Sequence, residues 1–207
     1  ENPNVTWKEL HERCGECPWP QPTGWQSPFC PNNLHRTMMQ RVAPYTLRGF
    51  LYYQGEEDVV RYEGYSDMMI ALVKQWRMDW NDWSLPFLFV QLPMYVAIDT
   101  EDDKKWAMQR EQQAIAAAML KRVGMISMTD CGEFDNIHPL DKETPGTRLA
   151  LLAEQMVYGT GEELTPTVQQ MYSDGTALYL VFDHVADGLV IHASQPETCQ
   201  IAGADGV

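Results

Sequence analysis

The chain has 207 residues, a formal net charge of −14 and 44% apolar residues. That length can bury one sizeable core with a smaller unit attached, and the apolar share excludes a disordered tail. The acidic balance repels phosphate backbones and argues against nucleic acid as a partner, while no apolar run approaches the ~20 residues of a membrane-crossing helix.

The chain starts at Glu1 and shows no signal peptide, which reads as processing or truncation of the true beginning. Residues 1–31 are rich in Pro, Trp and Cys and lack periodicity, so they read as an irregular lobe folded over a core. Trp7, Trp19 and Trp25 could stack on a sugar ring; the favoured reading is that they pin this lobe to the body. Cys14 and Cys17 form a Cys-x-x-Cys with no second pair, and His11 and His35 sit at no familiar ligand spacing. Tetrahedral zinc needs four ligands, or three and a water, so the expectation is a local disulfide or two packed thiols, and no metal.

Asn32–Val42 has helical spacing, with Leu34, Met38, Met39 and Val42 near one face, and Pro44 stops it. Leu47–Tyr53 is the first predicted strand, ending abruptly in Gln54-Gly55-Glu56. Tyr65, Met68, Met69, Leu72, Val73 and Trp76 recur at three and four residues, which predicts a helix to about Trp80. Pro86–Gln91 is a second buried strand, stopped by Pro93. Lys104–Arg122 is a third helix with Met108, Ile115 and Met119 inward, Gly124–Thr129 a third strand, and Pro145 suits the first turn of a helix carrying Leu149, Leu152 and Met156 under a Thr144 cap. The alternation of strand and helix predicts an α/β fold: a parallel sheet with helices on both faces and right-handed crossovers. Beyond 164 the texture changes. Ala177–Phe182 and Leu189–His192 are β-like and joined through Val-Ala-Asp-Gly, so 165–207 reads as the start of a β-rich accessory domain.

Sites in parallel sheets lie beyond the carboxyl ends of the strands, and Gln54 to Glu56, Gln91 and Asp130 to His138 all fall there. In Asp135-Asn136-Ile137-His138-Pro139 an acid precedes a histidine by three residues, a spacing that lets the carboxylate accept the imidazole Nδ1–H and leaves Nε2 as a general base. The Gln54 carboxamide can donate to a developing oxyanion, Gly55 allows close backbone approach, and Glu56 and Gln91 support the strand ends. A plain turn is the bland reading of Gln-Gly-Glu. Gln54 and His138 are expected to converge on one cleft.

Gly49-Phe50-Leu51-Tyr52-Tyr53-Gln54-Gly55-Glu56 resembles the Gly-x-x-Trp-Tyr-Gln-Gly-Glu block of the sialate O-acetylesterase family, part of the SGNH (GDSL-like) serine esterases. Trp76-Arg77, Leu85-Pro86-Phe87 and Phe89-Val90-Gln91-Leu92 resemble its next block. Asp130-Cys131-Gly132-Glu133, Ile137-His138-Pro139, Lys142 and Gly146-x-Arg148-Leu149-Ala150-Leu151 resemble its histidine block. Phe182-Asp183-His184 and Ile201-Ala202-Gly203 resemble the beginning of its accessory β-domain. The likeness runs from Asn32 to the C-terminus. It implies a partial three-layer α/β/α SGNH-hydrolase-like domain over 32–164. His138 would be the base, Gln54 with Gly55 the oxyanion hole, and Asp135 the triad acid with Asp130 in reserve.

Many relatives read Asn-Asp-Ile-His-Pro where this chain reads Asp-Asn-Ile-His-Pro. The family's Gly-Gln-Ser-Asn nucleophile block is absent. Gln26-Ser27-Pro28 imitates it, but no apolar strand leads into it and Pro28 removes a backbone donor. The resemblance thus implies a carbohydrate O-acetylesterase without organic cofactor or metal. Its serine would come from a missing N-terminal part or a partner chain, its substrate would be an acetylated glycan, and its location secreted, periplasmic or lysosomal. Two rival readings stand beside it: a non-catalytic glycan-binding protein, and a metal hydrolase using Asp130, Asp135, His138 and Glu56.

Overall fold

The structure, a computed structural model, describes residues 32–96, 104–160, 166–185 and 188–190. The expectations for Cys14, Cys17 and the three N-terminal tryptophans concern positions outside the described residues. The chain divides into two compact units, Glu1–Gly159 and Thr160–Val207.

The first unit is an α/β fold. After a π-helical turn α1 (His35–Met39) and a short α2 (Gln40–Val42), the order is β1 (Phe50–Tyr52), a 3-10 stretch Glu56–Gly64, α3 (Tyr65–Asp79), β2 (Phe87–Val90), α4 (Lys105–Met119), β3 (Val123–Ile126) and α5 (Glu143–Ala153), which continues as a π-helical turn Glu154–Tyr158. The three strands form one parallel sheet in the order β1-β2-β3. β2 lies in the middle and all four of its residues are buried, as expected of a strand covered on both faces. On one face Phe50, Phe87 and Phe89 pack against Tyr65, Met69 and Val73 of α3 and Ala116 of α4; on the other Leu88, Val90 and Ile126 pack against Leu149 of α5. The alternate residues of β2 thus serve different layers, the consequence of a side-chain period of two.

α3 forms because its apolar residues fall on one face, and tilted contacts of Trp76 with Phe50 and Phe87, at 5.1 and 5.7 Å between ring centroids, anchor it to β1 and β2. Gly49 sits where a Cβ would lie 2.8 Å from the Pro86 carbonyl oxygen, so the chain reaches β1 through a position with no room for a side chain.

Several expectations need correction. Leu34, Met38 and Val42 are exposed, so the first helical segment does not bury the face that its spacing suggested. In α4, Met108, Ile115 and Met119 face outward, and Gln109, Gln113 and Ala116 are buried instead. For Gln113 the cause is backbone demand. Gln113 accepts the Leu92 N–H at 2.9 Å and donates to the Val90 carbonyl at 3.3 Å, satisfying groups that leave the ladder where β2 ends. At α5 the cap belongs to Asp141, whose Oδ1 accepts the backbone N–H groups of Glu143 and Thr144 at 3.0 and 3.1 Å; Thr144 lies inside the helix.

The second unit contains an antiparallel hairpin of β4 (Thr167–Ser173) and β5 (Leu178–Asp183). The partner of the predicted 177–182 strand is therefore the segment before it. Asp174 makes that turn, accepting from the N–H groups of Thr176 and Ala177 at 2.8 and 2.9 Å. Leu189 and Val190 are described and carry no strand. Among the described residues no helix is long and apolar enough to cross a membrane.

Candidate active site at the carboxyl rim of the sheet

Gln54 to Glu56, Gln91, Asp130, Asp135 and His138 lie past the carboxyl ends of the three strands of the first unit. Two hollows open there. The larger, about 510 Å³, is lined by Tyr53, Glu56, Ile137, His138, Pro139, Leu140 and Lys142. The smaller, about 230 Å³, is lined by Tyr52, Gln54, Asp58 and Tyr65 over Met68, Met69 and Leu72.

The chain at the end of β1 explains the division. Successive side chains of an extended segment point to opposite faces. Tyr52 and Gln54 therefore go to the face of α3, and Tyr53 to the face of α5, where it packs against the Leu88–Val90–Leu149 cluster. The structure brings Glu56 and His138 to one cleft. It places the Gln54 carboxamide in the neighbouring hollow, so the expected convergence of Gln54 and His138 on a single cleft is not what the side chains do. The two linings adjoin at the consecutive residues Tyr53 and Gln54.

Gln54 is held at both ends of its carboxamide and at its backbone carbonyl. Tyr52 O–H donates to Oε1 at 2.9 Å, and Nε2 donates to Asp58 Oδ2 at 2.7 Å. Its backbone carbonyl accepts from Tyr65 O–H at 3.1 Å. Burial, followed by the Asp58 and Glu56 carboxylates, raises the Tyr52 hydroxyl above its ordinary range and keeps it a donor. Gly55 turns the chain at φ 143°, and a Cβ there would lie 3.1 Å from Gln109 Nε2 and 3.2 Å from the Tyr65 hydroxyl. Only glycine combines that angle with that proximity. Gln91, past β2, donates to the Arg110 carbonyl at 3.1 Å and so braces α4.

The His138 loop is organised by residues that the sequence reading did not single out as site residues. Glu133 accepts from Asn136 Nδ2 at 2.6 Å and from the Leu140 N–H at 2.7 Å, and both bonds lower its carboxyl below the usual range. Asn136 Oδ1 accepts the His138 N–H at 3.0 Å. The inverted Asp-Asn order thus puts an amide, two residues before the histidine, in an Asx-type turn; that turn chemistry was the available signal. Gly132, at φ 112°, would bring a Cβ within 2.7 Å of Pro93, so the loop runs tight against the exit of β2.

His138 and Asp135 are exposed, and among the described residues no hydrogen bond joins the His138 ring to Asp135 or Asp130. Asp130 is engaged elsewhere. Arg148 Nη1 and Nη2 bind its two oxygens at 2.7 and 2.6 Å, a bidentate pair that holds its carboxyl down at about 2. Lys142 Nζ stands 5.0 Å from the centroid of the Tyr53 ring and brings a cation to the cleft. The Tyr53 hydroxyl is buried without a hydrogen-bond partner among the described residues, and burial, then Glu56 and Cys131, raises it. Among the described residues no three His, Cys, Asp or Glu side chains are grouped so as to hold a metal ion. The set Asp130, Asp135, His138 and Glu56 therefore forms no such site.

Comparison with known proteins bears on this rim. A family model described as carbohydrate esterase, sialic acid-specific acetylesterase, matches residues 21–157. The sialate O-acetylesterase of Rattus norvegicus is 28% identical over 142 residues, 61% of this chain and 26% of that protein. The Homo sapiens protein of the same name is 27% identical over 161 residues, 70% of this chain and 30% of that protein. The chain thus spans less than a third of the curated relatives it matches. The crystal structure of a carbohydrate acetylesterase from Xanthomonas citri superposes with a TM-score of 0.62 at 34% identity, covering 69% of this chain and 34% of that one. The parallel three-stranded α/β sheet is consistent with an SGNH-like hydrolase fold.

Proposed function

From the premise that this chain belongs to the sialic acid-specific acetylesterase family of carbohydrate esterases, we propose that it forms the base-bearing part of a carbohydrate O-acetylesterase. The nucleophilic serine is supplied by residues outside these 207, from a preceding segment or a partner chain. The observation that carries the reading is the exposed His138 in a cleft at the carboxyl rim, adjoining a hollow that holds an oriented Gln54 carboxamide.

In this reading His138 takes the proton of the serine hydroxyl as it attacks the acetyl carbonyl, then returns it to the departing sugar oxygen. It next deprotonates the water that releases acetate and restores the serine. Gln54 donates through Nε2 to the oxyanion formed in each attack, with Gly55 letting the backbone come near. Asp135 is the acid that orients the imidazole. That role requires the exposed loop to draw together when substrate binds, since catalytic hydrogen bonds often tighten only in the complex. Asp130, committed to Arg148, shapes the loop. Glu56 and Lys142 face the sugar side of the cleft, and Gln91 supports the strand ends. A glycan substrate fits a secreted, periplasmic or lysosomal setting.

The test uses the complete esterase that carries this chain. His138→Ala is expected to abolish hydrolysis of 4-nitrophenyl acetate, and a serine-directed phosphonate is expected to label a residue outside the 207. Full activity of the variant would remove His138 from the mechanism. Phosphonate labelling of a serine within the 207 residues would overturn the division of the site.

A further inference from the structure

The Gln54 carboxamide is bonded at both ends, and the two bonds differ in kind. Asp58, as a carboxylate, only accepts, so it must face the NH₂ end; Tyr52, as a phenol, donates to the carbonyl end. The pair therefore fixes the orientation of an amide that could otherwise turn over. One Nε2–H is used by Asp58, and the other has no acceptor among the described residues. Asp58 would leave a negative charge beside a developing oxyanion, but Arg61 Nη2 lies 3.6 Å from Asp58 Oδ1 and offsets it. Asp58 and Arg61 share the 3-10 stretch Glu56–Gly64, where the backbone departs from helical geometry at Arg61, with φ −138° and ψ 35°. The Asp58 N–H is tied to the Gly55 carbonyl at 3.1 Å, so the carboxylate is set by the same turn that places Gln54.

We propose that Tyr52 and Asp58 are positioning residues that lock the Gln54 carboxamide with its free N–H presented to the oxyanion. The proposal rests on the reading of Gln54 as the oxyanion donor. The lock forms one line, from Arg61 through Asp58 to Gln54 to Tyr52. Its value lies in prior order: a donor already aimed costs no reorganisation when charge develops. Neither Tyr52 nor Asp58 touches the reacting atoms. Removing either should lower kcat and leave KM nearly unchanged, because the interaction is stronger in the transition state than with bound substrate.

The experiment is a double-mutant cycle in the complete esterase, with 4-nitrophenyl acetate as probe and the melting temperature followed in parallel. Tyr52→Phe keeps the ring and loses only the O–H; Asp58→Asn keeps the shape and can satisfy either amide orientation. Gln54→Ala is expected to cost about 10²-fold in kcat. Tyr52→Phe and Asp58→Asn should each cost roughly tenfold, within the ~10²-fold that a misplaced group can cost. In the Gln54→Ala background both should cost nothing further. Undiminished losses in that background would overturn the proposal while leaving Gln54 as donor, since the two residues would then act without it. Wild-type kcat in Tyr52→Phe and Asp58→Asn, with Gln54→Ala impaired, would overturn it as well. An unimpaired Gln54→Ala would overturn both the lock and the donor reading beneath it.

Discussion

Arg148 grips both oxygens of Asp130, and this pair shows how a neighbour decides what a carboxylate can do. With its carboxyl at about 2 against an ordinary 3.8, Asp130 favours the folded state above the ordinary value and loses that advantage as pH falls through about 2. The side chain is 62% exposed, so solvent screens the pair and its worth is that of a surface ion pair, about 0.2–1 kcal/mol. Asp130→Asn is therefore expected to lose no more than about 1 kcal/mol at neutral pH by urea unfolding. The gap from wild type should close between the two values. A gap that persists in stronger acid would assign the effect to something other than the ion pair. The same commitment explains why the acidic residue nearest β3 is a poor partner for His138, which an Asp-x-x-His spacing alone could not reveal.

At the scale of elements, Arg77 near the end of α3 ties the amino-terminal ends of β2 and β3 together. It is buried, and it donates to the carbonyls of Leu85, Lys121 and Arg122 at 2.9, 3.0 and 3.1 Å. Arg77→Met keeps the apolar stem and removes the guanidinium from all three. The Arg122 carbonyl still accepts the Phe87 N–H at 3.0 Å, and the Leu85 carbonyl is the buried one, at about 1–3 kcal/mol for a buried acceptor left unmade. A loss of about 3 kcal/mol in urea unfolding is expected; a loss below about 1 kcal/mol would mean that water replaces the guanidinium. α3 was legible from its apolar periodicity, and β2 from a continuous apolar run closed by Pro93. α4 was placed but turned the wrong way, since counting apolar residues gives no weight to Gln113, buried for the backbone groups it serves, or to Gln109, whose carboxamide is buried with no hydrogen-bond partner among the described residues. β4 was missed because Thr-Val-Gln-Gln-Met-Tyr-Ser is too polar to show a buried face, and it has none. The rim position of Gln54, Gln91 and His138 was readable from strand order. That Tyr53 and not Gln54 shares the cleft with His138 follows from strand alternation, and it needed the end of β1 to be fixed first.

Across the whole molecule, order should follow burial, and the two units differ sharply in it. β2 is flanked by a strand on each side and a helical layer on each face, and its residues Phe87 to Val90 are 0% or 1% exposed. Its amides can exchange only through opening of the first unit as a whole. In the hairpin, every residue of β4 is exposed, and so is β5 apart from Phe182. Two strands alone cannot cover a face, and the stacked Tyr172 and Tyr179, 4.9 Å apart, are a single cross-strand pair worth about 0.2–1 kcal/mol. Opening free energies run from near zero for such segments up to the global value for a core strand. Hydrogen exchange read by mass spectrometry on the 207-residue chain should therefore show Leu88–Val90 among the slowest amides and those of β4 and β5 among the fastest in regular structure. Protection of the hairpin equal to that of β2 would mean that its exposed Val168, Met171 and Leu180 are covered in solution, and burial within each unit would then fail as the source of order.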